Sequence, residues 1–181
     1  MAEALDPAIP NRVDDLAKAV LRQACDQELK LATAESCTGG LLASLLTDIP
    51  GLSHAFERGF VTYTDDAKAE MLGVPREVLD NDGAVSERSA RAMAEGAIAH
   101  SHADLAVSVT GFTDGDPARA GLVHFATARR GEPIRHKILR LGDIGRAKVR
   151  LAALEAALQM MKDRLDAPAH ASSVAAGGSG A

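Results

Sequence analysis

The segment Asp104–Thr110 (DLAVSVT) is a nearly continuous apolar run that ends on a hydroxyl residue. A strand with one wet face alternates apolar and polar residues, so a run without alternation is a strand covered on both faces. Helices supply such cover, which commits the chain to a sheet between helical layers. Val13, Leu16, Ala17, Val20, Leu21 and Ala24 recur at helical spacing and predict an amphipathic helix to about Gln27. Lys30–Glu35 (KLATAE) reads as a strand that breaks at Gly39-Gly40, and LLASLLTD as a helix that stops at Pro50-Gly51. Gly59–Thr64 (GFVTYT) predicts a second strand, followed by an Asp65-capped helix through Leu72. Ser86 is placed to cap a helix to about His100, and Gly111–Gly121 is a loop by composition. Leu122–Arg129 and Ile134–Leu141 predict two strands joined at Arg130-Gly131-Glu132-Pro133. A last helix runs from about Gly145 to Leu165, and its stripe of Leu151, Leu154, Leu158, Met161 and Leu165 reads as core, with a dimer contact as the alternative.

The expected fold is therefore a single three-layer α/β/α domain over residues 12–165. Its sheet is mixed and mostly parallel, because the paired strands after Gly121 add an antiparallel portion. Residues 1–11 are expected as a flexible lead-in. Residues 166–181, poor in large apolar groups, are expected as a disordered tail.

Charge and composition exclude several functions. Lys+Arg 20 against Asp+Glu 25 gives a net charge of −5, the wrong sign for a nucleic-acid footprint. One Tyr, four Phe and no Trp cannot build a base-stacking platform. Apolar runs fall far short of the ~20 residues that span a bilayer. The early residues lack the basic-then-apolar order of a signal peptide. Cys25 and Cys37 fit reduced thiols. The expectation is a cytoplasmic protein that handles a small molecule.

In folds of this class, sites gather at the carboxyl ends of strands. Ser36, Tyr63 and Thr110 all fall at such ends. AESCTGG (34–40) sets a hydroxyl before Thr, Gly and Gly at a helix start, where backbone N–H donors and the positive dipole end collect. That arrangement suits a nucleophile whose attack creates an oxyanion, or a group holding an anion; a plain helix cap with a tight turn is the simpler alternative. Cys37 beside it is a second candidate nucleophile. None of the six histidines lies at a strand end, which leaves Lys68, one turn beyond Tyr63, as the candidate base. A free lysine is neutral in roughly one molecule in 2,500 at pH 7, a deficit of about 4.6 kcal/mol. Burial lowers a lysine pKa by up to ~3–5 units, so Lys68 serves only if desolvated; otherwise it is a solvated surface lysine. His100, His102 and Asp104 imitate a metal-ligand spacing at a helix end.

The blocks AESCTGGLLASLLTDIPG, RGFVTYTDDAKAEMLGV, GAVSERSARAMAEGA and DLAVSVTG, in this order, resemble the CinA carboxy-terminal domain family. Its stand-alone form is the nicotinamide-nucleotide amidase PncC. The resemblance runs from about Val13 to Leu165. It implies hydrolysis of the carboxamide of nicotinamide mononucleotide to nicotinate mononucleotide and ammonia, with no metal or cofactor. On this resemblance Ser36 is the nucleophile, Lys68 its base and Tyr63 an assistant. Cys37, Thr38, Gly39, Gly40, Thr110 and Gly111 then surround the substrate. Family members usually follow the central strand with GIAGP…GG…KPVG, whereas this chain has the shorter GFTDGDPARAG. Asp114 and Asp116 put negative charge there, and Arg119 is placed to answer it as a phosphate partner. Arg146, Lys148 and Arg150 oppose the dipole of the last helix, so Arg146 is a further candidate for anion contact. Two other readings share this fold: an amidase for a different small amide, and a catalytically silent nucleotide-binding module. The expected partners are a small-molecule substrate and a second copy of the chain, with no nucleic acid or membrane.

Overall fold

The computed structural model describes residues 9–167. Five strands, β1 (Leu31–Glu35), β2 (Phe56–Val61), β3 (Leu105–Gly111), β4 (Leu122–Arg129) and β5 (Arg135–Arg140), form one sheet in the order β2-β1-β3-β4-β5. β1 pairs parallel with β2 and β3, while β4 runs antiparallel to both β3 and β5. Helices α1 (Asn11–Asp26), α2 (Leu41–Thr47) and α6 (Arg146–Asp166) form one layer, and α3 (Asp65–Leu72), α4 (Arg76–Asp82) and α5 (Glu87–Ala99) the other. The mixed three-layer α/β architecture expected from the sequence is the one observed.

β1 and the first six residues of β3 are buried at every position, as continuous apolar runs require. The two faces differ in side-chain size. Leu31, Leu105, Val107, Val109, Val123 and Phe125 pack against α1, α2 and α6. Ala32, Ala34, Ala106 and Ala126 point the other way, toward α5 and its alanines. Small residues on that face let α5 lie close to the sheet. Gly96 brings α3 in as well, because a Cβ there would stand 1.9 Å from the Leu72 carbonyl oxygen.

Three local expectations need correction. β2 spans Phe56–Val61 instead of Gly59–Thr64. The edge strand buries only Phe60 of its six residues, so its start carries no apolar run; Thr62 still donates to the Glu35 carbonyl at 2.8 Å, and Tyr63 and Thr64 then lead into α3. The cap of α3 is Thr64, whose hydroxyl accepts the Ala67 N–H at 3.1 Å, and not Asp65. α4 had no clear sequence signal, since only Val78 and Leu79 of its seven residues are buried. The helix over α1 already starts at Asn11, with Ile9 packed on the core; most of the lead-in and of the tail lies outside the described residues. Among the described residues no helix is long and apolar enough to cross a membrane.

The chain leaves the carboxyl end of β1 toward β2, and that of β3 toward β4. These departures in opposite directions make the two strand ends a topological switch point, the place where open α/β sheets bind ligands.

Candidate active site

Ser36 follows β1 directly, and its N–H still donates to the Val109 carbonyl at 3.0 Å. The register Glu35↔Val109, continued by one residue, sets Ser36 beside Thr110. Pleating puts Ser36 on the face of Ala32 and Ala34, toward α3 and α5. Gly39 and Gly40 then reverse the chain at φ +61° and +88°, where a side chain is disfavoured.

The turn is anchored by Glu35, fully buried, which was not singled out from the sequence. Its carboxylate accepts the N–H groups of Gly40 (3.1 Å), Leu42 (3.0 Å) and Ala43 (2.8 Å) and the Thr33 hydroxyl (3.2 Å). An acid closing a strand just before a Gly-Gly helix start is the signal that could have shown it. This corrects the expected donors: Gly40 N–H serves Glu35, and Gly39 N–H serves the Ser36 carbonyl at 3.1 Å. Among the described residues, only the Cys37 and Thr38 amides of the turn lack an acceptor.

Lys68 comes from the first turn of α3. It is 1% exposed, packed with Leu72 on the helix face that meets α5, and is no surface lysine. Its Nζ donates to Ser36 Oγ at 3.3 Å and to the Thr62 carbonyl at 3.0 Å. Among the described residues no carboxylate bonds to it. Burial pulls its pKa below the ordinary lysine value, against weaker opposing effects of Asp65 and Cys37. The structure thus brings together a strand-end serine and a desolvated amine.

The remaining expected residues divide. Thr110 is buried next to Ser36 and donates its hydroxyl proton to the Ala84 carbonyl at 2.8 Å, which leaves the oxygen as an acceptor. Gly111 is needed for packing, because a Cβ would stand 2.8 Å from Val123. The Thr38 hydroxyl is buried without a partner among the described residues, and its carbonyl accepts from Arg150. Tyr63 is 65% exposed and bonds neither Ser36 nor Lys68. Arg146 forks onto Asp114, with Nε–Oδ2 at 3.0 Å and Nη2–Oδ1 at 2.9 Å. Arg119, expected to meet phosphate, instead stacks over Phe112 with 4.0 Å to the ring centre.

Two alternatives are overturned. The Cys37 side chain turns into the apolar core of the α1–α6 layer, and burial pushes its pKa up to about 12, so it is no thiolate nucleophile and presents no side chain to a substrate. His100, His102 and Asp104 do not act as one set: the Asp104 carboxylate takes the Lys30 N–H at 2.8 Å, and the His100 ring takes up the Gly96 carbonyl at 2.9 Å. Among the described residues no group of three or more His, Cys, Asp and Glu side chains is arranged to hold a metal ion.

A serine bonded to a buried lysine at the carboxyl ends of a mixed α/β sheet defines the class. The CinA C-terminal domain family matches residues 13–165, and the chain belongs to that family. A solved structure of a competence/damage-inducible protein from Agrobacterium tumefaciens is 44% identical, with a TM-score of 0.84 over 88% of this chain and 99% of that one. A CinA superfamily protein from Klebsiella pneumoniae is 31% identical, with a TM-score of 0.79 over 84% of this chain and 97% of that one. A CinA-like protein of Akkermansia muciniphila is 52% identical over 128 residues, which is 68% of this chain and 31% of that protein. The chain thus spans about a third of the length of the curated relatives it matches.

Proposed function

We propose that the chain is a Ser–Lys amidohydrolase that converts nicotinamide mononucleotide to nicotinate mononucleotide and ammonia. The observation that carries this reading is the 3.3 Å contact between Ser36 Oγ and the Nζ of a lysine removed from water and unpaired with any carboxylate among the described residues. A neutral Lys68 keeps one N–H on the Thr62 carbonyl and offers its lone pair to the Ser36 O–H. As Ser36 Oγ bonds to the carboxamide carbon, Lys68 takes the serine proton. The Cys37 and Thr38 N–H groups receive the oxyanion. Collapse breaks the C–N bond, and Lys68 passes its proton to the departing ammonia. Water, deprotonated by Lys68, attacks the acyl carbon; the C–O bond to Ser36 breaks, Lys68 returns the proton to Ser36 Oγ, and the acid leaves. Thr110 Oγ is placed beside Ser36 to orient the amide.

The choice of substrate rests on the family resemblance. It is supported by Arg150, which donates to the Thr38 carbonyl of the Ser36 turn, and by Arg146, one turn earlier in α6. The proposed setting is cytoplasmic, with a second copy of the chain as the expected partner. A second reading, an uncharged amide as substrate, is favoured by Asp114, which already occupies Arg146. The test is ammonia release from nicotinamide mononucleotide, with Ser36→Ala as control. Release that vanishes in the variant supports the proposal; folded wild-type protein that releases none refutes it.

A further inference from the structure

Arg146 begins α6, where a cation opposes the helix dipole and gains nothing from its own helix. What holds it is Asp114, a residue of the Phe112–Ala120 loop, in a two-point fork of 2.9 and 3.0 Å. A carboxylate accepting two parallel N–H bonds offers a guanidinium the same pair of oxygens that a phosphate does. The fork is half-exposed on both partners, so it can open without dismantling the core. It also sits near the site, because Arg150, one turn further along α6, donates to the Thr38 carbonyl of the Ser36 turn. The second acid of the loop behaves differently: Asp116 spends its carboxylate on the Ala118 N–H at 3.0 Å, which shapes the turn.

We propose that Asp114 is an internal competitor for Arg146 that sets how strongly the site prefers a phosphate-bearing substrate over its uncharged nucleoside. The proposal rests on the amidase reading only for the kind of ligand, a nicotinamide nucleotide. To bind, the phosphate displaces Asp114 from the guanidinium and must also tolerate that carboxylate nearby. Nucleotide affinity is therefore held down, while a ligand without phosphate leaves the fork closed.

The experiment is calorimetric binding of nicotinamide mononucleotide and of nicotinamide riboside to the full chain. Ser36→Ala stops turnover in every sample. This background is compared with the same chain carrying Asp114→Asn or Asp116→Asn. Exposed ion pairs and neighbouring like charges at this distance predict that Asp114→Asn tightens the mononucleotide about 3- to 10-fold. Riboside affinity stays constant, and Asp116→Asn gives less than half that gain. Equal tightening by both variants would mean bulk charge, and overturns the proposal. So does an equal change for the riboside, no change, weaker binding, or no mononucleotide binding at all. Failure of the amidase reading looks different. Mononucleotide that binds and responds to Asp114→Asn, without ammonia release by the intact-serine protein, rejects the amidase and leaves Asp114 in its role.

Discussion

Replacing Glu35 by Gln changes almost no volume and removes one charge from the base of the proposed nucleophile turn. The carboxylate accepts from Gly40 and Leu42 through Oε2, and from Ala43 and Thr33 through Oε1. The best amide orientation keeps its oxygen at the Oε2 position and turns NH₂ toward Ala43 N–H and Thr33. The Thr33 hydroxyl can rotate and accept, but Ala43 N–H then faces another donor. One stranded donor costs about 1–3 kcal/mol. Losing the charge at a helix start adds roughly 0.3–1 kcal/mol. Removing a buried charge returns part of this. The net expectation is a loss of about 2–3 kcal/mol, or roughly 4–12 °C in Tm for a chain of this size. Urea unfolding of both proteins, with an unchanged m-value, reads the difference. A loss below about 0.5 kcal/mol would show that the turn does not depend on this carboxylate.

Other consequences follow from the same packing. Gly96→Ala forces α3 off α5 by driving a Cβ into the Leu72 carbonyl, and should cost about 3 kcal/mol in denaturant unfolding while lifting Lys68 from its site. Lys68 binds its proton less readily folded than unfolded, so Lys68→Met should stabilise the protein most at pH below the folded pKa; measured by urea unfolding, the gain should shrink as pH rises toward 10.5. In the wild type, kcat/KM for the amide should rise with pH as Lys68 deprotonates, with its inflection below 10.5. The Cys37 thiol, pushed to about 12 and buried, should resist iodoacetamide at pH 8 in native protein and react once the chain is unfolded, as peptide mass mapping would show.

The sequence made the layering legible because β3 is a nearly continuous apolar run, β1 is short and mostly apolar, and the helices repeat at their own period. The edges were harder. β2 buries only Phe60 and α4 only two side chains, so neither carries a clear periodic signal. Ser36 could be placed because a strand, a hydroxyl and two glycines leave little freedom. The burial of Lys68 could not, because it depends on Gly96 of α5, 28 residues away, bringing α3 close. The fork between Asp114 and Arg146 was invisible for a similar reason: two surface charges 32 residues apart meet only through the β4–β5 hairpin. The stacking of Arg119 on Phe112 was likewise not legible, because a loop arginine near two aspartates reads first as an anion contact.

The account stands or falls on Lys68 acting as the base for Ser36. Ammonia release from nicotinamide mononucleotide, measured side by side for wild type and Lys68→Met, tests this most directly. Methionine keeps the length and apolar stem of lysine and removes its basic nitrogen. The expected result is turnover by the wild type and a loss of about 10²–10⁴-fold in the folded variant. Turnover by Lys68→Met within a few fold of wild type, or none by folded wild-type protein, would contradict it.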